Sequence, residues 1–404
     1  MRVLPENPNI DHVRQQARDL LIALRETDPA ASLSQAQRAL AEQYGFSTWT
    51  AVRHEVHRIC SERSDADRGL IDGIAAAFDL GEVLGRGVVA AGVMGPAYRV
   101  GTTKGSWSVH GALSWVDEAQ AEEAGRLMNA AREAAVLVPA PRRTSGGSLL
   151  ATVHDRPWRV DEWMKEGPPV TTPLAMADAH RLGELLGRLH SLALRPTRPM
   201  NPWLTRRRSL HHWVAMTGRA RDAGVEWADL LEAALPALER LTACALEEPD
   251  LGALVLSHTN LVASNISRGA NHALIPRAWE FAGAIPTAWE LGLVLHSWTS
   301  TPAAARASAM VGPFIDAYTA VAGRRPAVEP PMFAAAINAW LQWLASRVDY
   351  ALDGDGDERT IAARELSHML AAPLTPESFD EIVEAATSVN GTSRRPGGGG
   401  RQLR

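Results

Sequence analysis

The chain has 404 residues, of which 46% are hydrophobic and 22% charged, and its formal net charge is -5. The length suggests two or three domains, and the composition is that of a globular protein with a large core. The acidic balance argues against nucleic acid or an anionic membrane as a partner, and no apolar run is long enough for a membrane helix. The first residues lack the apolar core of a secretion signal, and the two distant cysteines, Cys60 and Cys244, fit a reducing compartment, so we expect a cytoplasmic protein.

Residues 1–63 are predicted to form a helical module. The segments NIDHVRQQARDLLIAL and SLSQAQRALAEQYGFSTWTAVRHEVHRI carry apolar residues at helical spacing, the second with a turn at Gly45. This second segment resembles a DNA-reading helix-turn-helix, but its charges roughly balance, so we favour a packing module. The polar run SERSDADR at 61–68 is predicted to be a linker.

Residues 69–165 are predicted to form a small antiparallel sheet with one long helix. The segments GEVLGRGVVAAG, GPAYRVGTT and SWSVHGALSW are short, β-branched or aromatic, and separated by glycine, with GTTKGS as a hairpin turn. DEAQAEEAGRLMNAAREAAV has the pattern of a helix, and RPWRVDEWM that of an edge strand.

Residues 166–385 are predicted to be mainly helical, with one short strand pair formed by ALVLSH and HALIPRAWEF. The remaining residues, 386–404, are polar and glycine-rich at their end and are predicted to be a disordered tail. A helical module, a small sheet and a larger helical part together predict an α+β, bilobal architecture.

The segment 255–267, VLSHTNLVASNIS, has the outline of a phosphate-transfer loop: an apolar run, His258, and Asn265 seven residues later. With IPRAWEF and AIPTAWELG after it, this segment resembles the aminoglycoside phosphotransferase-like branch of the protein-kinase-like fold. That family shows His-Gly-Asp, four residues, Asn, and then Ile-Asp-Trp-Glu. Upstream, VAAGVMGPAYRV, SWSVHGAL and EEAGRLMNAAREAAVLVPAP resemble its glycine-rich hairpin, lysine strand and glutamate-bearing helix. The resemblance implies ATP-dependent, Mg²⁺-assisted phosphate transfer to a hydroxyl group.

The departures from the family pattern fall at the positions that carry charge. The family's catalytic Asp corresponds to Asn260, whose amide cannot accept a proton at neutral pH. Its metal-binding Asp corresponds to Ala278, which offers Mg²⁺ no oxygen. Its strand lysine corresponds to His110, and the only lysines of the chain, Lys104 and Lys165, fall in a turn and a connector.

Other positions keep residues that could bind or brace. By the resemblance, His258 braces the loop, although it could also act as an acid or base in a remodelled site. Asn265 and Glu280 could hold a metal weakly, because residues 278 and 280 are predicted to share one face of a strand.

In the predicted sheet region, Gly92 and Gly95 are candidates for a hairpin tip that covers the phosphates of a nucleotide. His110 could contact a phosphate when protonated, although a half-buried strand histidine is the alternative. Glu123 is the candidate helix carboxylate, with an exposed helix glutamate as the alternative. Trp340 and Trp343 lie one helical turn apart in the region where the resembling family binds its acceptor; core packing is the alternative.

The sequence therefore predicts a catalytically inactive relative of these phosphotransferases, a pseudokinase that binds a small molecule, a nucleotide or a protein partner. The alternatives are an active small-molecule phosphotransferase with a rebuilt site that uses Asn265 and Glu280, and a DNA-linked regulator acting through residues 1–63. No cofactor is certain: ATP binding stays open, and the missing carboxylates disfavour Mg²⁺. Neither a membrane nor a nucleic acid is expected as a partner.

Overall fold

The computed structural model describes residues 4, 10–28, 31–90, 97–168, 170–171, 174–245, 252–299 and 308–392. The chain divides into two compact units, Met1–Leu113 with Arg143–Val160, and Ser114–Arg142 with Asp161–Arg404. This division assigns the long helix of the predicted 69–165 segment to the second unit. Among the described residues, no helix combines the length and apolar character needed to cross a bilayer.

The described residues of the first unit form three helices and a five-stranded sheet. Its elements are α1 (Ile10–Thr27), α2 (Leu33–Gln43), α3 (Trp49–Ala77), β1 (Val83–Ala90), β2 (Ala97–Thr102), β3 (Gly105–Gly111), β4 (Ala151–Val153) and β5 (Arg156–Glu162), the last of which ends in the second unit. The strand order is β1-β2-β3-β5-β4. The segment RPWRVDEWM was predicted as an edge strand. That prediction is wrong, because this strand, β5, lies between β3 and β4, and β4 forms the edge. Pro157 offers no N–H to the sheet, but its carbonyl still accepts a hydrogen bond from the Ala112 N–H at 2.8 Å, so one contact on this side of the strand is kept.

Helix α3 joins the helical module to the sheet without a break. Near its start, Val52 and Val56 pack with α1 and α2, and near its end Ile71 and Ile74 pack against the sheet. The linker predicted at 61–68 is therefore wrong, since these residues continue the helix. The segment is polar but contains neither glycine nor proline, so nothing in it ends a helix.

The second unit is mainly helical and, in the part that the structure describes, has two short two-stranded sheets. Its elements are α4 (Glu118–Glu133), α5 (Met176–Ser191), α6 (Pro202–Thr205), α7 (Leu210–Asp222), α8 (Ala228–Cys244), β6 (Leu254–Ser257), β7 (Ile266–Arg268), β8 (Leu274–Pro276), β9 (Gly283–Pro286), α9 (Thr287–Thr299), α10 (Val311–Ala322), α11 (Ala334–Asp353), α12 (Gly356–Ala371) and α13 (Asp380–Thr392). Strand β6 pairs with β9, and β7 pairs with β8, both antiparallel. The predicted pairing of ALVLSH with HALIPRAWEF is therefore wrong.

The predicted start of disorder at residue 386 is also wrong, because α13 continues to Thr392. Its residues Ile382 and Ala386 are buried in the core of the second unit, which gives this helix an apolar face. Residues 393–404 lie outside the described residues.

Helices α5 and α10 pack unusually closely. A Cβ atom at Gly183 would collide with the backbone carbonyl of Phe314, and one at Gly187 would lie 3.2 Å from the carbonyl of Tyr318. Glycine at both positions thus allows the two helices to approach, which brings the Tyr318 side chain to the end of α5.

Candidate functional site

The phosphate-transfer-like loop lies in the second unit between β6 and β7. The pairing of β6 with β9 places Ser257 opposite Gly283, so the loop begins beside the strand that leads into α9. The far side of the loop is anchored by Trp298, whose indole N–H donates to the Leu261 carbonyl at 2.7 Å. Both anchors are buried, so the backbone of the loop is held on two sides.

His258 is fully buried and braces the loop. Its Nε2 lies 2.7 Å from the Arg277 carbonyl, and its Nδ1 accepts the Asn260 N–H at 3.3 Å. Since a carbonyl can only accept, Nε2 carries the proton and the ring is neutral. Burial lowers the pKa of His258, which is consistent with this state. The ring also packs edge-on against Trp279 at 4.8 Å between centroids, so the geometry is that of a bracing residue.

Thr259 occupies the position of the family's glycine in a left-handed backbone conformation, with φ of 59°. A β-branched residue is rarely found there, because its Cβ crowds the following carbonyl oxygen. Two hydrogen bonds compensate. The Thr259 N–H donates to Glu290 Oε1 at 2.7 Å, and the hydroxyl donates to the Phe281 carbonyl at 2.7 Å. The conformation that glycine adopts freely is thus maintained here by side-chain contacts.

We predict that Thr259→Gly is more stable than Thr259→Ala by about 0.5–1 kcal/mol. Both variants lose the hydroxyl, but only glycine also relieves a left-handed strain of about 1–2 kcal/mol, less about 0.5–1 kcal/mol for its greater freedom when unfolded. Urea unfolding of the two variants measures the difference. The control pair is Thr217→Gly and Thr217→Ala inside helix α7, where alanine should be the more stable. An alanine variant at 259 as stable as the glycine variant would show that the position is not strained.

Glu290 is fully buried in the first turn of α9 and connects the loop to two other helices. Its Oε2 lies 2.9 Å from His190 Nε2 at the end of α5, and His190 Nδ1 lies 2.9 Å from the Tyr318 hydroxyl of α10. Burial alone would raise the pKa of Glu290, but the hydrogen bond and charge of His190 and the Thr259 N–H lower it. Burial and the charge of Glu290 raise the pKa of Tyr318 to about 12. Glu290 therefore holds the Thr259 peptide as an ionised, fully engaged carboxylate.

Asn260 and Asn265 close the loop. The Asn265 side-chain Nδ2 donates to the Asn260 carbonyl at 3.1 Å, and the Asn265 carbonyl accepts the Arg277 N–H at 2.8 Å. The half-buried side chain of Asn260 makes no hydrogen bond to any residue that the structure describes. Its amide could position a hydroxyl group but could not take its proton.

Ala278 adopts a left-handed conformation, with φ of 59° and ψ of 45°, and residues Trp279–Phe281 form a 3₁₀ turn. The prediction that 278 and 280 share a strand face is therefore wrong, because this segment leaves the extended conformation. Gln120 of α4 holds the turn by donating from its Nε2 to the carbonyls of Glu280, at 2.8 Å, and Ala282, at 2.7 Å. The conformation at 278 is one that Asp and Asn adopt several-fold more often than other residues.

The residues present do not fit the Mg²⁺ that the fold implies. Mg²⁺ binds mainly through carboxylates, and the positions at 260 and 278 supply an amide and a methyl group. The described part of the chain contains no cluster of three or more His, Cys, Asp or Glu side chains that could hold a metal ion. Glu280 and Asn265 remain as single oxygen donors on separate turns.

Of the other predicted site residues, Glu123 is buried with 1% of its surface exposed, so the alternative of an exposed helix glutamate is wrong. Its Oε2 accepts from Arg126 at 2.6 Å and from the Thr197 hydroxyl at 2.9 Å, and its Oε1 accepts the Thr197 N–H. The half-buried His110 lies on β3, with Nε2 2.8 Å from the Ser108 hydroxyl. Gly92 and Gly95 lie outside the described residues.

A five-stranded sheet, a helix with a buried glutamate, and a His-x-Asn loop between short strands together define a protein of the kinase-like fold. The sequence pattern of the phosphotransferase enzyme family matches residues 88–326, more than half of the chain, and the chain belongs to that family. The resemblance and the α+β, kinase-like fold predicted from the sequence are thereby confirmed. No curated protein matches the chain.

Three solved structures illustrate the fold. Spectinomycin phosphotransferase APH(9)-Ia, in complex with ADP and spectinomycin, matches 77% of this chain and 94% of its own, with 14% identity and a TM-score of 0.54. Amicoumacin kinase hAmiN, in complex with AMP-PNP, Ca²⁺ and Ami, matches 80% and 99%, with 13% identity and a TM-score of 0.54. An aminoglycoside phosphotransferase from Alicyclobacillus acidocaldarius matches 76% and 93%, with 15% identity and a TM-score of 0.50.

Proposed function

We propose that this chain is a catalytically inactive member of the phosphotransferase family, a pseudokinase that acts by binding a small molecule, a nucleotide or a protein partner. One observation carries the proposal. The loop keeps a specialised backbone, left-handed at 259 and 278, while positions 260 and 278 have lost the carboxylates that the family's chemistry needs. Loss of a general base alone typically costs about 10²–10⁴ in rate.

The hydrogen bonds of the ionisable side chains in and beyond the loop argue against catalysis. His258 is neutral and fully engaged, Glu290 is committed to His190 and Thr259, and Glu123 is committed to Thr197 and Arg126. None of these side chains is free to move a proton to or from a substrate hydroxyl. Two of the similar structures, by their own descriptions, hold a nucleotide together with a small molecule, which favours ligands of those classes here.

The test combines turnover with ligand-induced stabilisation. ATP consumption is measured with a panel of hydroxyl acceptors, and the thermal stability of the full chain is measured with ATP, with and without Mg²⁺. We expect no turnover, and we expect any stabilisation by ATP to be independent of Mg²⁺. A ligand at 100 times its dissociation constant raises the free energy of unfolding by about 2.7 kcal/mol. ATP-dependent phosphorylation at ordinary rates, abolished by Glu280→Ala or Asn265→Ala, would overturn the proposal and favour a rebuilt active site.

A further inference from the structure

A concave surface lies on the helical unit between α11 and the segment 201–208, and none of the residues lining it belongs to the loop described above. Its volume is about 370 Å³, within the range of small-molecule sites. Two large aromatic side chains line it with unusual exposure, Trp203 at 43% and Tyr350 at 46%, and Trp343, exposed to 40%, lies beside Trp203. The Trp203 and Trp343 rings lie 6.3 Å apart between centroids.

The walls of this groove are fixed by buried amides. Asn338 donates from Nδ2 to the Leu204 carbonyl at 2.9 Å, and Gln342 donates from Nε2 to the Arg206 carbonyl at 2.7 Å. The guanidinium of Arg347 lies 4.2 Å from the ring centroid of Trp343 and 4.9 Å from that of Tyr350, which orders both rings. The aromatic surface is therefore held in place in the free protein.

The groove carries positive charge that no carboxylate of the described residues neutralises by direct pairing. Neither Arg206 nor Arg208 forms an ion pair within that part of the chain, and the one lining carboxylate, Asp349, is paired with Arg219 at 3.0 Å. Burial lowers the pKa of Arg208, and the neighbouring charge of Arg206 lowers it further. The exposed Arg206 and the half-buried Arg208 place two cations side by side, and although the charge of Asp349 opposes them, the pair favours an anion.

Arg208 also has unused hydrogen-bond donors. Its Nε and Nη2 donate to Gln342 Oε1, at 3.0 and 2.7 Å, and its Nη1 lies 2.9 Å from His212 Nε2. Since a guanidinium can only donate, His212 Nε2 accepts this hydrogen bond, and burial and the charge of Arg208 lower the pKa of His212 in agreement. A guanidinium has five N–H groups, and two of those on Arg208 therefore have no acceptor among the described residues.

We propose that this groove binds a planar aromatic carboxylate. The exposed rings would stack on the aromatic part of the ligand, and the planar guanidinium groups of Arg206 and Arg208 match the geometry of a carboxylate. This site is independent of the loop, so the inference holds whether or not the chain transfers phosphate.

The test uses isothermal titration calorimetry of the full chain with 2-naphthoate, and with 2-naphthyl phosphate, inorganic phosphate and neutral 2-naphthalenemethanol for comparison. We expect 2-naphthoate to bind at least tenfold more tightly than the neutral alcohol, because hydrogen bonds to charged groups are worth about that factor or more. If 2-naphthyl phosphate binds more tightly than 2-naphthoate, the ligand is an aromatic phosphate, and the proposal of an aromatic carboxylate is overturned. Inorganic phosphate alone should bind weakly, since it cannot stack.

Two exposed residues serve as variants. Arg206→Gln should weaken 2-naphthoate about tenfold and leave the neutral probe unchanged, whereas Trp203→Ala should weaken both. The control is Arg240→Gln, which removes an exposed arginine outside the groove and should change neither. Equal affinity for the charged and neutral probes, or unchanged binding by Arg206→Gln, would overturn the proposal; the groove would then be an aromatic contact surface for a macromolecule.

Discussion

Replacing Glu290 by alanine should lower the free energy of unfolding by about 3–5 kcal/mol, the usual cost of removing one partner of a buried ion pair. The side chain is fully buried, and its loss leaves His190 Nε2 and the Thr259 N–H without their acceptors. The left-handed conformation of Thr259 depends on that acceptor, so the amides of the loop should also exchange their hydrogens faster in the variant. Urea unfolding measures the stability, and amide hydrogen exchange measures the loop.

The matched control is Glu184→Ala. Glu184 lies on the same helix as His190, and its Oε1 is 3.8 Å from His180 Nδ1, but the two side chains are open to solvent, with 39% and 55% of their surfaces exposed. Exposed pairs contribute about 0–1 kcal/mol, so this variant should unfold almost as the unaltered chain does. Equal losses in the two variants would mean that the buried network does not stabilise the fold beyond an ordinary surface contact.

The same network gives a pH dependence. The pKa of Glu290 in the folded state is below its ordinary value of 4.5, so the unfolded state binds the proton first as the pH falls. Its contribution to stability is therefore complete above about pH 4.5 and is lost as the pH falls further through the folded pKa. The stability difference between the unaltered chain and Glu290→Ala should shrink below that pH.

The second large effect concerns metal. Asn260→Asp combined with Ala278→Asp should create a Mg²⁺ site, visible as a Mg²⁺-dependent gain of about 2.7 kcal/mol in stability at 100 times the dissociation constant. Asn265 contacts the backbone at 260 through its side chain and the backbone at 277 through its carbonyl, so positions 260 and 278 both lie close to Asn265. A left-handed residue at 278 suits Asp better than Ala. Without metal, the added like charges should slightly destabilise the chain.

The control is Asn260→Ala with Ala278→Asn, which keeps a residue tolerant of the left-handed conformation but adds no charge. It should show no response to Mg²⁺. A Mg²⁺-dependent gain already present in the unaltered chain would contradict the account of positions 260 and 278 given above. No gain in the double Asp variant would show that the loop, despite its conformation, is not arranged around a metal.

The sequence predicts the architecture well where local patterns decide it. The aromatic and β-branched residues Tyr98 and Val100 mark β2, the structure buries both, and the glycine-bounded turn at GTTKGS separates β2 from β3. The predictions fail where pairing over long distances decides. Strands β6 and β8 are both short and apolar, and nothing in their composition specifies that each pairs with a different partner, β9 and β7.

Within the loop, the sequence shows which carboxylates are missing, but it does not predict the backbone conformation at those positions. An apolar segment such as IPRAWEF has the pattern of a strand, whereas contacts from Gln120 and Trp279 hold part of it in a 3₁₀ turn. The hydrogen-bond partners of Glu290 and Glu123 also cannot be predicted from the neighbouring sequence, because His190 and Thr197 lie about 100 and 74 positions away. The groove at Arg206 and Arg208 is indicated in the sequence by Trp343, a candidate ligand-site residue, and by a run of three arginines after a tryptophan, but neither signal predicts that they meet.

The continuous helix α3 has a mechanical consequence. One end packs with α1 and α2 and the other with the sheet. The helical module and the sheet are therefore joined by one continuous helix and not by a flexible linker. A protease that cuts flexible connectors should find no preferred site between residues 61 and 68, and heating should melt the module and the sheet together. A fragment ending at residue 63 would truncate α3 near its middle, so binding of a ligand to the module is better tested with the whole chain.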